Sequence, residues 1–283
     1  MSGFIMQAPS FESRTTDKVA LIDADFLKYL VVYDIAKELD KRYKDRHGIL
    51  IEKINGRLSE IMPMVQCKAR VFLWSGKAKD GFRMALCREK KYKGNRSGRE
   101  PEYPEMYDDM NFVSDYINEQ HHNLKFDDLE ADDLCSMLQN KDTFIYSKDK
   151  DLLTVPGYHW DMNINDWIVV QEDDAWRRLM YQTLGGDSGD NILGLRGYGL
   201  SKVVKGELKE GKVNKLLDSL PTAMLLPTVI ATYFEKLGRK DGWDAILENS
   251  SLVSMVSNRG TYTKEQYAEA FSLIQSLTTI KSV

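Results

Sequence analysis

Residues 19–25 read Val-Ala-Leu-Ile-Asp-Ala-Asp, a short apolar run that ends in two aspartates. An amphipathic pattern with helical spacing follows from Phe26 to about Arg46, so the sequence predicts a strand, an acidic tip and a helix. Two more apolar runs, Ala69–Trp74 and Thr143–Tyr146, also end in small polar or acidic residues. Strands that alternate with long helical patterns predict an α/β fold with a central, mostly parallel sheet. Ligands of such sheets bind at the carboxyl ends of the strands, where these tips meet.

Composition is that of a folded globular protein. The chain has 283 residues, of which 42% are hydrophobic and 29% charged, enough for one large domain or a main domain with a smaller attachment. The first residues lack the apolar run of a signal peptide, and no stretch of eighteen apolar residues follows. The three cysteines are widely spaced and form no CxxC pair. We therefore expect a cytoplasmic protein with no membrane partner and no structural zinc.

Charge is distributed unevenly along the chain, although the formal net charge is only −4. The segment from Arg83 to Arg99 has seven basic residues against one acid, Glu89. The segment from Arg196 to Lys215 has six basic residues against two acids. Either run could face a phosphate backbone, and a solvated helix face is the ordinary alternative.

Carboxylates occur in four separated groups. They are Asp23, then Glu130, Asp132 and Asp133, then Asp149 and Asp151, and finally Asp187 and Asp190. Oxygen ligands without Cys or His suit Mg²⁺ or Mn²⁺, and two such ions about 3.5–4 Å apart can catalyse phosphodiester hydrolysis. Carboxylates gathered without a cation would raise one another's pKa. Helix caps and turns are the alternative for each group alone, and together the groups predict a metal site.

Five motifs appear in the order found in bacteriophage 5′-nucleases. They are Phe82-Arg83, Tyr92-Lys93-Gly94-Asn95-Arg96, Glu130-Ala131-Asp132-Asp133, Ser147-Lys148-Asp149-Lys150-Asp151, and the run from Gly186 to Gly194. From about Val19 to Val204 the chain resembles the flap endonuclease and 5′-to-3′ exonuclease family, which includes the 5′-nuclease domain of bacterial family A DNA polymerases. The resemblance implies a PIN-like 5′-nuclease fold with a helical arch or clamp and a helix-three-turn-helix. We expect a nuclease domain over 1–184, with its arch at about 83–125, and a helix-three-turn-helix with helical region over 185–283.

The resemblance also implies the metal ligands. Glu130, Asp132, Asp133 and Asp149 would serve a first Mg²⁺ or Mn²⁺, and Asp151, Asp187 and Asp190 would serve a second. Asp23 would act through metal-bound water, and a K⁺ ion would bind at the helix-three-turn-helix. One departure concerns the first ion, because the family usually ends its second strand with an aspartate where this chain has Trp74-Ser75-Gly76. Either Asp80 or a water replaces that ligand, or the first ion binds weakly.

Basic and aromatic residues would contact the substrate. By resemblance, Lys93, Arg96 and Arg83 would hold the scissile phosphate, and Tyr92 would stack on the terminal base, with simple packing as its alternative. Lys93 and Arg96 are three residues apart and would share one face of a helix.

A glycine-rich hairpin follows the last acidic pair. It runs from Gly194 to Gly199 and resembles the hairpin of the helix-three-turn-helix. The amides of Gly197 and Gly199 could approach phosphate closely, a helix beginning near Ser201 would add its dipole, and Lys202 and Lys205 would contact the DNA backbone.

These features predict a 5′-to-3′ exonuclease or flap endonuclease that acts on DNA with a 5′ end, flap or branch, or on an RNA–DNA hybrid, in replication. We expect a monomer whose replication partners bind in trans. One alternative is a branched-DNA binding protein with an impaired metal site. Another is a haloacid dehalogenase-like phosphatase built on Asp23-Ala24-Asp25 and Gly186–Asp190, which would leave the basic run unexplained.

Overall fold

The computed structural model describes residues 16–279 except 39–45, 65–66, 78–80, 97–100, 102, 163, 165, 205–206 and 257–263. Six strands form the main sheet: β1 (Val19–Asp23), β2 (Ala69–Trp74), β3 (His122–Lys125), β4 (Thr143–Ser147), β5 (Gly157–Asp161) and β6 (Asp166–Val170). Their order is β3-β2-β1-β4-β5-β6. The first five strands are parallel and β6 is antiparallel to β5, so the predicted mostly parallel α/β sheet is confirmed.

The helices that surround this sheet are α1 (Ala24–Glu38), α2 (Arg46–Met64), α3 (Phe82–Leu86), α4 (Met106–Gln120) and α5 (Ala131–Leu138). Further along the chain are α6 (Glu172–Gly185), α7 (Lys212–Leu217), α8 (Thr222–Leu237), α9 (Arg239–Val253) and α10 (Ala268–Thr279). None of the described helices is long and apolar enough to cross a membrane.

The alternation of side chains along β1 explains why both faces of the sheet are covered. Ala20 and Ile22 face one layer, where they are buried with residues of α1, α2 and α4. Val19 and Leu21 face the other layer, where they are buried with residues of α5 and α10. A parallel sheet buried on both faces needs apolar residues at every position, which is why β1 reads as a continuous apolar run.

A third hydrophobic cluster joins α6 to the helices that follow it. Leu184 of α6 is buried with Val213 of α7, Val229 and Tyr233 of α8, and Ile246 of α9. The expected domain boundary after residue 184 passes through this cluster. The last helix, α10, returns to the sheet, so the final part of the chain belongs to two packing layers.

The segment expected to form an arch, about 83–125, is only partly helical and only partly separate from the core. Met110 and Val113 of α4 are buried against the sheet. Asp109 of the same helix forms a bidentate ion pair with Arg46. Within the expected arch region, α4 thus packs against the sheet, and the extent of an arch over 83–125 stays a prediction. The described part of 83–105 consists of the end of α3, an irregular loop and a 3₁₀ turn at Gly94–Arg96.

The helix expected near Ser201 is also absent from its predicted place. Two short strands, β7 (Lys202–Val204) and β8 (Glu207–Lys209), instead pair as an antiparallel ribbon. The next helix, α7, begins only at Lys212. Valines at 203 and 204 favour extended backbone, which helical periodicity alone did not reveal.

Candidate functional site

The acidic tip of β1 lies at the carboxyl edge of the sheet, as the sequence predicts. Asp23 is 8% exposed and accepts hydrogen bonds from the Phe26 backbone N–H at 3.1 Å and the Ser147 hydroxyl at 3.0 Å. Burial, together with the nearby charges of Asp25 and Asp149, raises the pKa of Asp23 to about 6. Asp23 therefore lies where an additional positive charge would stabilise its ionised form.

A second acidic group occupies the start of α5. Each of Glu130, Asp132 and Asp133 offers a carboxylate oxygen, and these atoms lie within 4.8 Å of one another. Burial, then the charges of Asp133 and Glu130, raises the pKa of Asp132 well above its usual range. Negative side chains are favoured at a helix N-terminus, but three so close together exceed what a helix dipole stabilises. Two cations, Arg83 and Lys93, already contact this group, and the pKa of Asp132 is raised in their presence.

Arg83 is enclosed within this group, and its expected contact with the scissile phosphate is wrong for this structure. The guanidinium is 4% exposed and donates to both oxygens of Asp133, at 2.6 and 2.9 Å. It also donates to Glu130 at 3.0 Å and to the carbonyl oxygens of Leu252 and Ser254. With its donors used and its surface buried, Arg83 holds the acidic group in place.

Asp133 is likewise occupied, which argues against its expected role as a metal ligand. The residue is fully buried and, besides Arg83, accepts the backbone N–H of Val256 at 3.1 Å and that of Glu130 at 3.3 Å. Of the other two acids at the start of α5, Glu130 accepts from Arg83, Tyr92 and Lys93, whereas Asp132 accepts only the Asp133 backbone N–H among the described hydrogen bonds.

The expected stacking of Tyr92 on a nucleobase is also corrected. Tyr92 is 6% exposed, so its ring offers no free face, and packing is the role that the structure supports. Its hydroxyl lies 2.8 Å from Glu130 and 2.9 Å from Asp190, where it bridges two acidic groups that are 60 residues apart in sequence. Tyr92 thus connects the start of α5 to the turn after α6.

Lys93 and Arg96 converge on the same acids from the rim of the site. The Lys93 ammonium lies 2.5 Å from Glu130 and 4.0 Å from Asp190, and Arg96 lies 2.5 Å from Asp190. The expected α-helix is not formed here. Arg96 belongs to the 3₁₀ turn Gly94–Arg96, and Lys93, just before it, has a φ of 51° that an α-helix excludes. Burial opposes the charge on Lys93, but Glu130 and Asp190 outweigh it and raise its pKa. The Arg96 side chain is 48% exposed and is open to an incoming anion.

The remaining carboxylates form a group on the other side of Asp132. Asp149 is exposed and accepts the Asp151 backbone N–H at 2.8 Å, whereas Asp151 is turned inward and accepts the Gln182 amide at 2.5 Å. Burial raises the pKa of Asp151 to about 7, and the charges of Asp149 and Asp187 contribute. Asp187 is 8% exposed and lies 3.5 Å from the Lys150 ammonium.

The structure brings the expected first and second groups together around one small cavity. It is lined by four aspartates, namely Asp132, Asp151, Asp187 and Asp190. They come from three places: Asp132 from the first turn of α5, Asp151 from the 3₁₀ turn Lys150–Thr154, and Asp187 and Asp190 from the turn that follows α6. A set of carboxylate donors fits a hard divalent cation, whose charge would relieve the repulsion that contributes to the raised pKa of Asp132 and of Asp151.

The strand-end aspartate that the family uses has no counterpart at Gly76. A Cβ atom at Gly76 would lie 2.2 Å from the carbonyl oxygen of Phe126, so no side chain fits there. Ser75 fills the position by accepting the Ala131 backbone N–H at 3.0 Å and donating its own N–H to Asp25 at 3.0 Å. Asp80, the expected substitute, lies outside the described residues.

The glycine hairpin lies at the surface beside these groups. Gly197, with a φ of +87°, and Gly199 are exposed, and nothing lies within 4 Å of an added Cβ at either position. Ser201 does not begin a helix; its N–H donates to Asn214 at 2.9 Å and its hydroxyl accepts from Gly211. Lys202 is exposed on β7, and Lys205 lies outside the described residues.

Sequence reasoning missed Gln182 and Ser147, which support Asp151 and Asp23 respectively. Ser147 ends β4 and belonged to a recognised motif, so its proximity to the β1 tip could have been anticipated from neighbouring strands. Gln182 lies inside an ordinary amphipathic helix, and nothing in the sequence distinguishes it.

Comparison with known proteins supports the same reading of the fold. No family model matches the chain. A 5′-3′ exonuclease of Mycoplasmopsis pulmonis (strain UAB CTIP) is 23% identical over 235 residues, which cover 75% of this chain and 73% of that protein. The 5′-exonuclease of bacteriophage T5 with bound zinc ions superposes with a TM-score of 0.60 at 15% identity, over 93% of this chain and 100% of that one.

A second structure of that group is the bacteriophage T5 flap endonuclease in a pseudo-enzyme-product complex with DNA and metal ions. It superposes with a TM-score of 0.61 at 14% identity, over 93% of this chain and 100% of that one. These likenesses confirm the predicted PIN-like 5′-nuclease fold.

Proposed function

We propose that this chain, a member of the 5′-nuclease family by its sequence relative and its fold, is a divalent-metal-dependent nuclease that hydrolyses phosphodiester bonds. One observation carries the proposal: carboxylates from α5, from the Lys150–Thr154 turn and from the loop after α6 line one cavity, with Lys93 and Arg96 at its rim. The carboxylates make the cavity negative, and the two basic side chains make its rim positive. Phosphodiester hydrolysis needs this arrangement of charges.

The acidic residues hold the cofactor in this proposal. Glu130, Asp132, Asp151, Asp187 and Asp190 would bind Mg²⁺ or Mn²⁺ as two ions, with Asp149 at the exposed margin and Asp23 acting through water. When bound, such ions activate a water as nucleophile and neutralise charge on the phosphate. Arg83 and Tyr92 keep Glu130, Asp133 and Asp190 in register. A K⁺ ion at the glycine hairpin belongs to the same proposal.

Lys93 and Arg96 bind the scissile phosphate. Each is paired with Glu130 or Asp190 in the structure, and a phosphate at this rim would offer them charge-assisted hydrogen bonds in place of those pairs. They then offset the charge that develops on the phosphate oxygens during cleavage.

A pocket beside Glu130 fits the 5′ end of the substrate. Its volume is about 480 Å³, and its walls include Phe82, Lys91, Lys93 and Arg96. An apolar surface next to three cations suits a base joined to its phosphate. The exposed amides of Gly197 and Gly199, with Lys202, would contact the backbone of the duplex. We therefore propose that the substrate is DNA with a 5′ end, flap or branch, or an RNA–DNA hybrid. In this proposal the protein acts as a monomer in the cytoplasm, and replication proteins bind to it in trans.

The experiment is cleavage of an end-labelled 5′-flap duplex with Mg²⁺, with Mn²⁺ and with chelator. Wild type should cut only with metal, and Lys93→Ala should lower the single-turnover rate about 100-fold, the loss typical of one transition-state contact. Lys236→Ala, a half-exposed lysine on α8, is the matched control and should cut like wild type. A protein that retards the flap in a gel but never cuts it would be a binding protein, and hydrolysis of a small phosphomonoester instead would favour a phosphatase.

A further inference from the structure

Gln182 is a buried residue that the nuclease mechanism has not used. It lies on α6, is 6% exposed, and donates its side-chain N–H to Asp151 at 2.5 Å. Its amide oxygen is buried and has no hydrogen-bond partner among the described residues. Buried acceptors are almost always paired in folded proteins, so an unpaired one points to a partner that the protein atoms do not supply.

The surroundings of this oxygen restrict what that partner can be. Gln182 lines the cavity together with Asp132, Asp151, Asp187 and Asp190. None of the described side chains donates a hydrogen bond to this oxygen. Two donors also border this cavity, but Arg83 is committed to Asp133 and Tyr92 to Glu130 and Asp190. The partner must therefore be a cation or a water that enters the cavity.

The orientation of the amide follows from its other contact. The nitrogen end contacts Asp151 at 2.5 Å, so the oxygen is the amide atom that is left without a partner among the described residues.

We infer that Gln182 is a positioning residue of the metal centre, whose amide nitrogen fixes Asp151 and whose amide oxygen contacts the hydrated divalent ion held by the surrounding aspartates. This inference rests on the proposed function and extends it to a neutral ligand or water-anchoring group. An amide oxygen is a suitable partner for Mg²⁺ or Mn²⁺, and it adds no further negative charge to a crowded group.

The test is a titration of the metal-free protein with Mn²⁺, followed by electron paramagnetic resonance of the free ion. Gln182→Met keeps the unbranched shape but removes both polar atoms, and Gln182→Glu keeps an oxygen but removes the donor. Loss of a group that supports a metal ligand typically weakens metal binding 10- to 100-fold. Gln182→Met should therefore bind Mn²⁺ at least ~10-fold more weakly, whereas Gln182→Glu should stay within about twofold of wild type or bind more tightly.

The matched control is Gln139→Met. Gln139 also donates its amide to a partner, the Tyr158 carbonyl oxygen at 2.9 Å, but it lies at the amino end of β5, away from the carboxylates. Its replacement should leave Mn²⁺ binding unchanged. Thermal unfolding of each metal-free variant checks that it is folded.

A second readout separates positioning from packing. If the nitrogen acts through Asp151 and the oxygen on the hydrated ion, Gln182→Met should still weaken Mn²⁺ binding in an Asp151→Asn background, but by less than it does in wild type. Unchanged Mn²⁺ binding by Gln182→Met would overturn the inference. Equal weakening by Met and Glu would also overturn it, because holding Asp151 would then be the whole role. Absence of Mn²⁺ binding by wild type would overturn the proposed function itself.

Discussion

At the scale of single residues, the site is defined by which charges are enclosed and which are free. Arg83 and Lys93 come from neighbouring motifs, yet one is 4% exposed in its side chain and the other 25%. The sequence predicted that both would contact phosphate, because it cannot show that Arg83 finds Asp133 50 residues away in the chain. The sequence likewise could not show that Tyr92 is buried against Glu130 and Asp190, because both residues are distant from it in the chain. Residue types at the site were predictable, and their long-range pairing was not.

Replacement of Arg83 tests this division of roles. Arg83→Met leaves Asp133 buried without its cation, and loss of one partner of a buried pair lowers the free energy of unfolding by about 3–5 kcal/mol. Denaturant unfolding in metal-free buffer measures this, with Arg196→Met as the exposed control, for which we expect a change within about 0.5 kcal/mol. An Arg83→Met protein that is as stable as wild type but cleaves as slowly as Lys93→Ala would instead give Arg83 the phosphate contact.

At the scale of elements, the strands and their acidic tips were predictable because buried parallel strands are continuous apolar runs. β1, β2 and β4 begin and end within a residue of their predicted bounds. The β7–β8 ribbon escaped prediction because its exposed residues carry no alternation of apolar and polar side chains. The packing of α4 against the sheet was not predicted, because the prolines and glycines that precede this helix suggested a separate arch.

β5 carries a pH-sensitive residue that lies outside the acidic site. His159 is buried, its Nε2 lies 2.8 Å from the Val155 carbonyl oxygen, and burial lowers its pKa to about 4. Because the folded-state pKa is depressed, the unfolded chain binds a proton first as the pH falls. The free energy of unfolding is therefore unaffected by His159 above about pH 6.5. It decreases by roughly 3 kcal/mol in total as the pH falls from there to about 4.

The measurement compares wild type with His159→Gln in denaturant unfolding at pH 7.5, 6, 5 and 4. Other carboxylates titrate in the same range in both proteins, so the difference between the two curves isolates the histidine. Wild type should lose more stability than His159→Gln between pH 6.5 and 4. Parallel curves would mean that His159 is protonated within the fold without cost.

At the scale of the whole molecule, a net charge of −4 conceals an acidic centre with a basic rim. The exposed cations Arg88, Lys90 and Lys91 continue the rim beyond Lys93, and Arg196 and Lys202 lie on the hairpin and ribbon that follow the acidic loop. Such a distribution attracts a phosphate backbone at the rim, while the centre attracts a divalent cation. The sequence predicted both charge groups, and the fold brings Lys93 and Arg96 against Glu130 and Asp190.

The central claim is that the clustered carboxylates form a cation site whose repulsion destabilises the metal-free protein. The most direct measurement is thermal unfolding of wild type and Asp132→Asn with and without Mn²⁺, since asparagine preserves the acceptor that binds the Asp133 N–H. Metal-free Asp132→Asn should be at least as stable as wild type, because the pKa of Asp132 is raised by burial and by its acidic neighbours.

Mn²⁺ at 100 times its dissociation constant should stabilise the wild-type protein by about 2.7 kcal/mol and therefore raise its midpoint temperature. The midpoint of Asp132→Asn should rise much less. Equal shifts in the two proteins, or no shift in wild type, would contradict the account.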